Sequence, residues 1–202
     1  MSPITGALPT TLYWVGVLVL AAGCLATIGI AHWRRRNKII VIATALLAAD
    51  LVLVAIPSPD SPLGVSLALG ILTLAIAVLG GGIATSYVLK LATRGLVRPG
   101  LFGGIIVTEP DRTFGGALKA NAGEQHEVLR GGRTIGYLER FAVAGALMAG
   151  FPEAIAALIA IKGVGRFTEL EAAEARERFI IGTLTSLLWA SLSAAVFHFA
   201  LL

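Results

Sequence analysis

The sequence predicts an all-α, polytopic membrane protein built as a bundle of about six transmembrane helices. Three observations predict it. Hydrophobic residues fill 56% of the 202 positions and charged residues only 14%, with a mean hydropathy of +0.86. A soluble domain carries about 25% charged residues, and so few charges cannot cover a water-facing surface. Apolar runs recur at about 12–32, 39–57, 63–89, 141–151, 153–161 and 179–202. Finally, all 16 lysines and arginines fall in alternate intervening segments: Arg34 to Lys38, Lys90 to Arg140, and Lys162 to Arg178. Short loops rich in Lys and Arg stay cytoplasmic, so the expected orientation has both termini outside.

The first predicted helix, about 12–32, is long enough at 1.5 Å per residue for a hydrocarbon core of roughly 30 Å. Tyr13 and Trp14 at its outer end and Trp33 at its inner end are expected at the interfaces, where amphipathic rings are favoured. The second, Ile39–Pro57, ends in a proline turn through Asp60 to Pro62. The third, Leu63 to about Leu89, contains Gly80-Gly81-Gly82, small residues that admit another helix backbone at close range; a hinge is the alternative. These helices form an N-terminal half, 1–92.

Residues 93–132 read as a cytoplasmic, glycine-rich loop with little core of its own and one β-prone run, Ile105 to Thr108. Leu129 to Arg133 has a phosphate cradle's composition but not the spacing that makes a P-loop specific. The C-terminal half, 133–202, admits two readings. One is a single helix, Phe141–Ile161, kinked at Pro152 with Glu153 near the bilayer centre. The other is a hairpin of helices at roughly 134–150 and 153–169 turning at Gly150-Phe151-Pro152-Glu153. The hairpin keeps every basic residue on one side and is the expectation adopted. A last helix, Phe179–Leu202, closes the bundle. Three helices per half is the arithmetic of an inverted repeat, although the halves share no sequence match.

The net charge of +4 follows from this sidedness, and the basic face is expected to meet anionic membrane lipids. No groove-reading motif or aromatic-interleaved basic patch points to nucleic acid. Cys24, the one cysteine, excludes an internal disulfide. Leu20 to Cys24 superficially resembles a lipoprotein cleavage site, but no basic residue precedes the apolar run and the run continues to His32. Cys24 is therefore expected to be a buried apolar residue. His32, His126 and His198 share no helix face, and no metal motif, nucleophile elbow or paired-carboxylate spacing occurs. The expectation is a protein without enzymatic activity, catalytic residues, metal or cofactor.

Residues 132–190 carry a spaced pattern: Gly132-Arg133-Thr134-Ile135-Gly136-Tyr137-Leu138-Glu139-Arg140, then Ile161 to Phe167 with Glu169, then Glu177, Ile181-Gly182-Thr183-Leu184 and Ser186. It resembles the uncharacterised family of small bacterial integral membrane proteins known as domain of unknown function 3307. The N-terminal half does not match. The resemblance implies a bacterial membrane protein, hence the cytoplasmic membrane, and brings no activity.

Two sets of charges are the candidate sites. Glu139 lies 12 residues before Phe151, about 18 Å along a helix; Lys162 lies 10 after Pro152, about 15 Å, and Arg166 14 after, about 21 Å. In a hairpin these charges share a depth, and an ionisable group there needs a partner or water. One reading is a structural ion pair between Glu139 and Lys162 or Arg166. The other is an anion or lipid-headgroup site, with Arg133, Arg140, Lys162 and Arg166 as donors and Glu139 orienting them. Asp50 lies 11 residues after Ile39, about 16 Å deep, with no basic residue at its level. It is either a proton or cation site, with Thr73 or Ser191 nearby, or a neutral acid hydrogen-bonded to a neighbouring helix. Two functions stay open: binding or translocation of a small solute or anionic lipid, or a non-catalytic structural or partner subunit of a membrane complex, including a homo-oligomer.

Overall fold

The computed structural model describes residues 3–56, 60–92, 105–107, 126–128, 132–165 and 173–201. Among them are six α-helices: α1 (Pro3–Trp33), α2 (Ile40–Val54), α3 (Leu63–Ala92), α4 (Gly132–Met148), α5 (Ala154–Gly165) and α6 (Ala173–Ala200). A 3-10 turn, Asn37–Ile39, leads into α2. Two three-residue strands, β1 (Ile105–Val107) and β2 (His126–Val128), pair antiparallel with Ile106 opposite Glu127. The all-α expectation thus holds for the bundle, and the β-prone run at Ile105 supplies the first strand of this two-stranded sheet. The remainder of the predicted loop, including Leu129 to Gly131, lies outside the described residues.

Four helices are long and apolar enough to cross a membrane: Thr10–Trp33, Asn37–Val54, Leu63–Ala92 and Arg176–Ala200. At 17 and 12 residues, α4 and α5 are shorter, so the expected six spans resolve into four long helices and a short pair. That pair is a true hairpin and excludes one helix kinked at Pro152. Gly150 stops α4 at φ +72°, a conformation that costs any side chain with a Cβ. Its N–H bonds the Leu147 carbonyl and the Phe151 N–H the Ala146 carbonyl, at 3.1 and 2.8 Å, the paired closure of a Schellman motif.

The packing follows a 3.5-residue spacing that hydropathy alone conceals. Trp14, Val17, Ala21, Cys24, Ile28 and Ala31 form the buried stripe of α1, and Ile40, Ala43, Leu47, Asp50 and Val54 that of α2. Such stripes close antiparallel helices at shallow angles. Tyr13 Oη donates to the Leu53 carbonyl and Cys24 Sγ to that of Ala43, fixing the α1–α2 register. Cys24 is fully buried within α1. The outward faces are apolar as well: Leu67, Ile71, Leu184 and Leu188 are all more than half exposed, which suits lipid rather than water.

Two expectations change at this level. Trp14 is not an exposed anchor but a core residue, 2% exposed and edge-on to Tyr13, whereas Trp33 is 88% exposed. Gly80-Gly81-Gly82 receives side chains rather than a helix backbone. A Cβ on Gly80 would strike the Trp189 indole, and one on Gly81 would strike Arg140 Cδ. With no side chains at 80–82, the carbonyls one turn earlier are uncovered, and incoming donors take them.

Candidate functional site

The charges of the C-terminal hairpin divide between two jobs. Lys162 Nζ donates to Glu139 Oε2 at 2.5 Å, tying α5 to α4, with the two side chains 18% and 12% exposed. The same ammonium lies 5.6 Å from the centre of the Phe179 ring on α6. Arg140, one residue on, projects about 100° around α4 and enters the bundle at 4% exposure. Its Nε donates to the Val78 carbonyl at 2.8 Å and its Nη1 to Ser186 Oγ at 3.2 Å, with the Tyr137 ring 5.2 Å from the guanidinium carbon. Beside it, Trp189 Nε1 donates to the Ile76 carbonyl at 2.9 Å. Arg140 and Trp189 therefore fasten α4 and α6 onto the glycine stretch of α3.

The proposed donors do not converge. Arg133 is exposed at the start of α4, Lys162 is paired with Glu139, and Arg140 is turned away into the bundle; Arg166 lies outside the described residues. The Glu139–Lys162 contact is an ion pair, whereas Arg140 is held by neutral acceptors.

Asp50 is different. It occupies the buried stripe of α2 at 1% exposure, and its Oδ1 has no hydrogen-bond partner. Neither Thr73 nor Ser191 reaches it: the Thr73 hydroxyl donates to the Leu69 and Gly70 carbonyls of its own helix, and Ser191 is half-buried without a bond to Asp50. The α1–α2 register sets Asp50 opposite Gly16 and Val17, within one helical turn of Trp14. The indole Nε1 of Trp14 is the other buried polar atom without a partner among the described residues. One unpaired acceptor and one unpaired donor thus lie on facing stripes of α1 and α2. Sequence reasoning found the acid by its depth but missed the indole, placing Trp14 at the interface. The three-four spacing of Trp14, Val17 and Ala21, all on the stripe with Cys24, was the available signal.

No group of three metal-ligating side chains occurs among the described residues, and His32 and His198 are both exposed on opposite ends of the bundle. The four long apolar helices define a multi-pass membrane protein. No family model, curated protein or solved structure matches the chain.

Proposed function

We propose that this chain is a carrier for a small solute in a bacterial cytoplasmic membrane, with Asp50 binding the proton or small cation that is moved or coupled. The observation that carries this reading is the open Oδ1 of a carboxyl buried in a membrane-spanning helix. A packing role calls for a neighbour that hydrogen-bonds the acid, and a buried polar atom left without one destabilises by about 1–3 kcal/mol. A carboxyl oxygen not committed to a neighbouring group is open to a proton or a small cation. Ionisable groups retained in membrane helices mark ion and proton pathways, and the buried Trp14 indole N–H on the facing stripe of α1 is likewise unpaired. The segregation of basic residues supports the N-out, C-out orientation, and the resemblance of 132–190 supports the bacterial setting.

Asp50→Asn keeps the shape and removes the titration. The variant is expected to accumulate normally and unfold in detergent no earlier than the native protein, yet to lose the growth or flux phenotype that deletion produces. Full complementation by Asp50→Asn would overturn the carrier reading. A second reading, a non-catalytic subunit of a membrane complex, is favoured by one observation: Glu139, Arg140 and Lys162 are all committed to helix–helix contacts. In that case Asp50→Asn complements, while the variants that loosen the hairpin do not. Binding of an anionic lipid by the hairpin charges is left with Arg133 as its exposed donor among the described residues.

A further inference from the structure

We propose that the turn between α1 and α2 carries a binding site for an anionic phospholipid, with Arg36 and Lys38 holding the phosphate and Ile39 and Ile42 receiving the start of an acyl chain. The site is independent of Asp50 and of the hairpin charges. A cavity of about 530 Å³ is lined by Arg36, Lys38, Ile39 and Ile42. Two cations beside two branched hydrocarbon side chains complement the two halves of one amphiphile. A free phosphate ion would use only the first pair.

The level of the cavity fits the same ligand. It lies where two helices long and apolar enough to cross a membrane meet, which is where headgroups sit. Trp33, whose indole suits that zone, is 88% exposed three residues before Arg36. Arg34, Arg35, Arg36 and Lys38 place four positive charges in five positions, and no Asp or Glu precedes Asp50 in the chain.

The two lining cations are also uncommitted. Lys162 has its carboxylate and Arg140 its carbonyl, but neither Arg36 nor Lys38 has an ion pair or side-chain hydrogen bond among the described residues. The start of α2 has no side-chain cap and no acidic residue in its first turn, so the positive end of its dipole adds to the same field.

Tryptophan fluorescence tests the proposal on the intact protein in phosphatidylcholine vesicles. Trp14 and Trp189 are buried, at 2% and 5% exposure, so quenching by a brominated lipid reports on Trp33. Brominated phosphatidylglycerol is expected to reach half-maximal quenching at roughly a tenfold lower mole fraction than brominated phosphatidylcholine. The preference should persist in the Arg34→Gln/Arg35→Gln variant and vanish in Arg36→Gln/Lys38→Gln. Equal quenching of the native protein by the two lipids would overturn the site, as would an equal loss in both double variants, which is the mark of diffuse surface charge. Millimolar inorganic phosphate should not displace the brominated phosphatidylglycerol; displacement would identify a free-phosphate site instead and overturn the lipid assignment.

Discussion

A single missing methyl decides the contact between α3 and the side chains that fasten it. At Gly81 a Cβ would collide with Arg140 Cδ, whose guanidinium is fixed at both Val78 and Ser186 and cannot swing away without losing a bond. At Gly82 the nearest atom, Arg140 Nη2, would be 3.7 Å from the added carbon, an ordinary contact. Gly81→Ala is therefore expected to destabilise by about 1–3 kcal/mol, and Gly82→Ala to be neutral or stabilising through helix propensity. Thermal unfolding of the two variants in detergent checks the contrast; equal midpoints would mean that Arg140 does not lie on Gly81. At this scale the sequence is only partly legible. The depth of Asp50 followed from counting along one helix, whereas its lack of a partner depends on which way Thr73 and Ser191 bond. Arg140 was counted with Lys162 because both are basic. Nothing in its type reveals that it takes a backbone carbonyl which three glycines leave bare.

Among the elements, the hairpin of α4 and α5 was readable in outline because its signals are local. A glycine at the αL position, Pro152 beyond it and charges equidistant from the turn specify two helices and the pairing of Glu139 with Lys162. The helix ends moved by one to nine residues: α1 begins at 3 rather than about 12, α4 runs 132–148 against an expected 134–150, and α6 begins at 173 rather than 179. The ion pair supplies the observed polar link between α5 and α4. Removing one member of a buried pair costs roughly 3–5 kcal/mol, whereas replacing both can be nearly neutral. With these side chains still 12–18% exposed, the lower end of that range is expected for Glu139→Gln or Lys162→Met alone, and the double change should recover part of it. A double-mutant cycle on unfolding temperature measures the coupling. Strict additivity would mean the two groups do not touch in the membrane.

For the molecule as a whole, the segregation of basic residues makes a sidedness prediction. Cys24, the one cysteine, is fully buried, so the native chain offers little background reactivity. Single cysteines at Asp60 and Glu153 are expected to react with an impermeant maleimide applied from outside intact cells, and those at Lys119 and Ala172 only after lysis. Outside labelling at 172 with protection at 153 would reverse the placement of the hairpin. Charge sidedness and helix count are visible in sequence because they are sums over many residues. The distinction between long helices and the short pair was visible in the lengths of the apolar runs. The runs 141–151 and 153–161 are about half the length of the others, but only packing shows that α4 is held by a buried arginine.

That arginine also constrains how the chain can be assembled. Ribosomes deliver helices in order, so when α4 emerges, the Val78 carbonyl that receives Arg140 is already made, but Ser186 and Trp189 belong to a helix not yet synthesised. Until α6 arrives, the guanidinium is half satisfied, and exposing it to hydrocarbon costs several kcal/mol. Early residence of α4 at the translocon or the membrane surface avoids that cost, with final docking awaiting the last helix. The C-terminal half then settles as one cooperative unit rather than helix by helix.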